Sequence, residues 1–194
     1  MTDTLTEKDI VLGLCQGNYK TREEIFSSPL MWCAIKNEDI RAVELLKEYA
    51  NFQTATNNQN EIVFDEQFLY ACRVVNNPDF LKILFNLMKN LFSKESIVPI
   101  LNNAIQAASV SNKHPEIIKV LAELGADVNY KTLLMQTPLI FSVMWNNNPE
   151  VVKALLEAGA KTNVKDYHGK NAFKYAQEHQ NKEVINLLKQ YGAK

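Results

Sequence analysis

Apolar residues recur in this chain as paired bursts at helical spacing, each pair broken by a short polar turn. Over residues 137–166 the second burst places Val151, Val152, Leu155 and Leu156 three and four positions apart, behind Asn148-Pro149 and ahead of Gly159-Ala160. That spacing predicts an amphipathic helix with a proline start and a glycine stop. Near copies of the 149–160 helix stand at 115–126 and 182–193, so Gly-Ala pairs fall at 125, 159 and 192 with a period of 34 and then 33 residues. A fixed period of this size predicts stacked helix-turn-helix units sharing one continuous core, hence an all-α solenoid and a single elongated domain over residues 1–194.

Extending the pattern along the chain gives about five units, starting near Ser28, Glu66, Asn103, Thr137 and Asn171 at spacings of 38, 37, 34 and 34 residues. Ser28-Pro29-Leu30 aligns with Thr137-Pro138-Leu139, and a hydroxyl residue before proline suits a helix start. Residues 1–27 hold a short apolar burst that reads as an N-terminal cap over the first unit's open face. Gln53 to Glu61 is the longest polar connection. After Leu87 the glycine turn is replaced by Leu91-Phe92-Ser93-Lys94-Glu95-Ser96, which predicts a longer second helix in that unit.

Thr137-Pro138-Leu139, Leu155-Leu156, Gly159-Ala160, Asp166 with Gly169, and Gly125-Ala126-Asp127-Val128-Asn129 resemble the ankyrin repeat, whose pattern is Asp-x-x-Gly-x-Thr-Pro-Leu, two helices and Gly-Ala. Ile140 and Lys174 stand where the family often has His, and most units carry an extra residue between the helices, as in Asn146-Asn147-Asn148-Pro149. The resemblance implies a non-catalytic module that binds a partner protein through turn tips and inner helices on its concave face. On that mapping the partner-binding positions are Leu133, Leu134, Gln136, Met144 and Trp145 in the fourth unit, and Tyr167, His168, Lys170, Glu178 and His179 in the fifth. Arg73, Val74, Val110 and Ser111 occupy the matching places earlier in the chain. Leu133-Leu134 in a turn and Trp145 beside an Asn run are apolar where the repeat asks for polar residues. Trp145 either anchors a partner or folds inward against the next unit; Trp32, inside an apolar inner helix, reads as core.

Composition narrows the alternatives. With 46% hydrophobic and 22% charged residues the chain is ordinary for a globular protein, and a net charge of −1 offers no global reason to bind nucleic acid or an anionic membrane. Residues 1–50 carry nine acidic and six basic side chains and residues 161–194 three and seven, a modest dipole along the stack. Cys15, Cys33 and Cys72 are odd in number and lack metal-ligand spacing, and the N-terminus is acidic and polar. These features lead to an expectation of a reducing, cytoplasmic setting and a monomer. Gly169-Lys170-Asn171 lacks the upstream glycine of a phosphate loop, and His114, His168 and His179 bring no cysteine or paired carboxylates with them. No enzyme activity, metal or cofactor is expected. Other readings are an enzymatic or metal site at the irregular second and third units, a secreted bacterial effector, and self-association through Leu187, Leu188 and Tyr191.

Overall fold

The structure is a computed structural model that describes residues 29–45, 64–89 and 94–194. The expected cap at 1–27, the connection around 53–61, Cys15, Leu91 and Phe92 lie outside the described residues, as do the side chains of Trp32 and Cys33.

The described chain is helical, with no strand: α1 (Pro29–Lys36), a helical stretch over 40–45, α2 (Phe64–Val74), α3 (Pro78–Lys89), α4 (Lys94–Ser111), α5 (Pro115–Glu123), α6 (Pro138–Phe141) continuing into a π turn (Ser142–Asn146), α7 (Pro149–Glu157), α8 (Ala172–Glu178) and α9 (Lys182–Gln190). They stack in two layers. In the inner layer α1 meets α2, α2 meets α4, α4 meets α6 and its π turn, and these meet α8; in the outer layer α3, α5, α7 and α9 follow one another. Each unit contacts its neighbours in sequence, as a solenoid requires.

The repeat fixes which residues fill the space between layers. Ala71, Ala108, Ser142 and Ala176 recur at one inner-helix position and are fully covered, since only small side chains let neighbouring inner helices approach. Phe80, Ile117, Val151 and Val184 recur at one outer-helix position and are equally covered. The outer helices α5, α7 and α9 end at a glycine in the left-handed conformation. Gly159 (φ 93°) closes α7 with its own N–H on Leu156 O and the Ala160 N–H on Leu155 O, 3.0 and 2.9 Å. That pair of bonds satisfies two carbonyls the helix end would otherwise leave open.

Asparagine, which the sequence pattern treats as mere turn filler, holds the units to one another. Asn148 and Asn181 cap α7 and α9 with their side-chain oxygens while their amides reach back to Lys113 O and Asn147 O in the preceding unit. Asn112 is buried and donates to both Cys72 O and Val75 O at 2.9 Å, and Asn112 O in turn accepts from Asn146 at 2.6 Å. On the other edge Asn129 bridges Gly159 O and the Lys161 N–H, and Asn163 bridges Gly192 O and the Lys194 N–H one unit later. Glu38 replaces asparagine at the first junction: its carboxylate accepts the Asn76 and Asn77 N–H groups at the start of α3.

The irregular junction differs from its sequence reading in one respect. The outer helix α3 is longer, 12 residues against nine in α5, α7 and α9, as expected. The larger change is in α4, which runs for 18 residues from Lys94, so that Asn103, the register point of the third unit, lies in mid-helix. Within this extra length Asn102 accepts the Asp127 N–H at 2.8 Å, the bond that Asn129 makes to Lys161 in the next unit. A helix therefore supplies at this junction what a hairpin supplies later.

Candidate partner-binding surface

Between outer and inner helices of consecutive units the chain projects a finger. In the first, the Thr132 N–H bonds to Gln136 O, the Met135 N–H to Thr132 O, and the Gln136 N–H to Thr132 Oγ1. In the second, 34 residues on by the period of the repeat, the Asp166 N–H bonds to Lys170 O, the Gly169 N–H to Asp166 O, and the Lys170 N–H to Asp166 Oδ1. The two share one skeleton, with Thr132 and Asp166 in the same role. The Tyr167 N–H donates to Leu134 O at 3.0 Å and ties the fingers side by side.

The tips are apolar. Leu133 is fully exposed (101%), Tyr167 is 76% exposed, and Leu134 and Met135 stand beside them in the open. Met135 was not singled out by the sequence. It holds φ 58° where the second finger has Gly169 at φ 73°, a conformation that costs a side chain roughly 1–2 kcal/mol. The available signal was the alignment of Met135 with Gly169 at the repeat period.

Each finger is braced on the inner helix of its own unit. Gln136, expected as a partner contact, is instead buried, because its amide turns inward to lie 3.7 Å from the sulfur of the half-buried Met144. In the next unit the Lys170 ammonium meets the Glu178 carboxylate at 2.8 Å and lies 5.2 Å from the Tyr175 ring centre. His168 is exposed, edge-on to Tyr167 with ring centres 5.9 Å apart.

A second row follows the C-terminal ends of the inner helices: Val74, Ser111, Trp145 and His179 are all exposed, at intervals that match the unit spacing. Trp145 is 64% exposed, so inward packing does not describe its side chain. In this unit the helix itself takes up the extra residue before Pro149. The Asn147 N–H reaches back five residues to Ser142 O, widening the last turn of the helix, and Asn147 then takes a left-handed conformation at φ 52°. Such π turns absorb an insertion without breaking the helix.

Asp166 is the electrostatic centre of the second finger. Burial alone would raise its carboxyl, but hydrogen bonds from the Tyr175 hydroxyl (2.7 Å) and the Lys170 and His168 N–H groups outweigh it and hold it below the usual carboxylate range. Its contribution to stability is present above that range and lost as the pH falls through the lowered value. Tyr175 moves the other way, from 10.0 to about 12, through burial and then its bond to Asp166. A raised value means that the bond stabilises fully below pH 10 and is lost as the pH rises through about 12. Phenolate absorbance should show this one tyrosine titrating late, and Tyr175→Phe should remove the loss of stability in that window.

Elsewhere the described residues hold little chemistry. The irregular junction carries a groove of about 590 Å3 lined chiefly by Phe85, Ile97, Leu101 and Leu124, with Lys89 and Glu123 as its charged groups. Cys72 is buried, and burial pushes its thiol far above its ordinary value, away from the reactive thiolate. No three His, Cys, Asp or Glu side chains gather as a metal would need, and no helix is long and apolar enough to cross a membrane, among the described residues.

No curated protein matches the chain. A family model described as ankyrin repeats, in three copies, matches residues 104–194, the stretch that holds both fingers, the π turn and helices α5 to α9. Modules of this kind generally bind other proteins and are generally non-catalytic. The two-layer stack, the 34-residue register of its fingers and this match lead to one family: residues 104–194 are ankyrin repeats.

Proposed function

We propose that the protein is a non-catalytic interaction module, a scaffold, adaptor or inhibitor, that seats a partner protein on the concave face formed by its fingers and inner-helix ends. The observation that carries this is the set of apolar side chains left in the open on a braced frame: Leu133, Leu134, Tyr167 and Trp145. Exposed aromatic and aliphatic anchors on a rigid support are what an interface core needs, because little ordering entropy is lost when they are covered. His168 and His179 flank these anchors, while Gln136, Met144, Lys170 and Glu178 hold the fingers against the inner helices. A buried, unreactive Cys72 suits a cytoplasmic setting; of the residues expected as a sticky end, Leu188 is fully covered, Leu187 is half-buried and Tyr191 is exposed.

Affinity capture from the native cell followed by mass spectrometry tests the reading. Leu134→Ala with Trp145→Ala should abolish capture of the partner while thermal unfolding stays nearly unchanged, because both side chains are exposed. A double variant that captures the partner as well as the parent, or that loses its fold, sinks this assignment of the surface.

A further inference from the structure

The finger segments, residues 126–136 and 160–170, carry four lysines against two aspartates. Both aspartates are already engaged within their own fingers: Asp166 accepts three hydrogen bonds, and Asp127 accepts the Asn129 N–H. Lys170 is taken by Glu178. Lys131, Lys161 and Lys165 are left, each exposed and none in an ion pair among the described residues; of these, Lys131 and Lys165 stand two residues before an apolar tip.

We propose that the paired fingers take an acidic protein segment, with bulky apolar side chains laid over Leu133, Leu134 and Tyr167 and with Asp or Glu side chains meeting Lys131 and Lys165. The proposal rests on the interaction-module reading and adds the chemistry of the partner. Covering the tips brings the two ammonium groups under a less polar medium, where a charge without a counterion is costly and a carboxylate offsets that cost. The excess of lysine over acid in residues 161–194 attracts the same kind of segment from a distance. The Tyr167 N–H and Leu134 O at the tips are spent on each other, so this pair offers a peptide backbone nothing. Recognition runs through side chains and is sensitive to salt.

The test uses the full chain and four labelled peptides of equal length, alternating Leu with Glu, Leu with Lys, Ser with Glu, and Ser with Lys, read by fluorescence anisotropy. The Leu-Glu peptide should bind most tightly and weaken as salt rises. Lys131→Glu with Lys165→Glu should lower its affinity about tenfold, the scale of two exposed charge pairs turned from attraction to repulsion, with the fold unchanged by circular dichroism. Equal binding of the Leu-Glu and Leu-Lys peptides, no binding of any of the four, or indifference to the charge reversal overturns the proposal. So does binding to vesicles of phosphatidylcholine and phosphatidylserine that the same reversal abolishes, which would make the ligand an anionic membrane. A cellular partner whose capture needs Leu134 and Trp145 but ignores salt and the reversal would leave the interaction module standing and remove only its acidic specificity.

Discussion

Leu155→Ala is expected to cost about 2–5 kcal/mol, the range for removing a fully buried leucine whose surroundings cannot collapse onto the void. Leu155 lies in α7, which packs on α5 on one side and α9 on the other, and its side chain is fully covered. The loss is a large share of the roughly 5–15 kcal/mol that holds an ordinary domain together. In a stack the damage falls on the affected unit and its interfaces, so the helices from α6 onward should melt at lower urea than those from α2 to α5. Circular dichroism through a urea titration should show the single transition of the parent move down or split. Lys153→Ala, exposed on the same helix, should shift it by less than about 0.5 kcal/mol. Equal effects of the two substitutions would mean that the outer layer is not the core described above.

Asn112→Ala should be nearly as damaging although it removes no apolar surface. The side chain is buried and makes three hydrogen bonds: to Cys72 O, to Val75 O, and from the His114 N–H at 2.8 Å. Its loss strands two carbonyls at the end of α2, each costing roughly 1–3 kcal/mol when no partner replaces it, for about 2–4 kcal/mol in all once some relaxation is allowed. The cost is local to one junction. Amide hydrogen exchange should accelerate in α2 and α3 and stay unchanged in α8 and α9. Uniform acceleration along the chain would instead mean that the junction is not an independent joint.

How much of this was legible beforehand varies along the chain for physical reasons. The units after Asn112 could be read closely because Thr137-Pro138 and the Gly-Ala pairs fix both ends of a helix by backbone chemistry that does not depend on neighbours. The start of α4 could not, because Ile97 to Leu101 suit either the end of one helix or the beginning of another; they lie inside α4, whose Asn102 accepts the Asp127 N–H of the next unit. An extra residue at Asn146-Asn147-Asn148 is compatible with a longer loop or a widened turn, and a single bond from Asn147 to Ser142 makes it the latter. The register makes Gln136 a surface contact, whereas its amide lies against the Met144 sulfur, a contact that register does not reveal.

The two fingers keep the same skeleton of backbone bonds while their tips differ completely, Leu133-Leu134-Met135 in one and Tyr167-His168-Gly169 in the other. Backbone and tip are therefore separable. A loop closed by backbone bonds and its Thr132 or Asp166 side chain can exchange the first two residues of its tip, while the third must accept the left-handed conformation of Met135 and Gly169, so the recognition surface can drift in sequence while the helices behind it stay still.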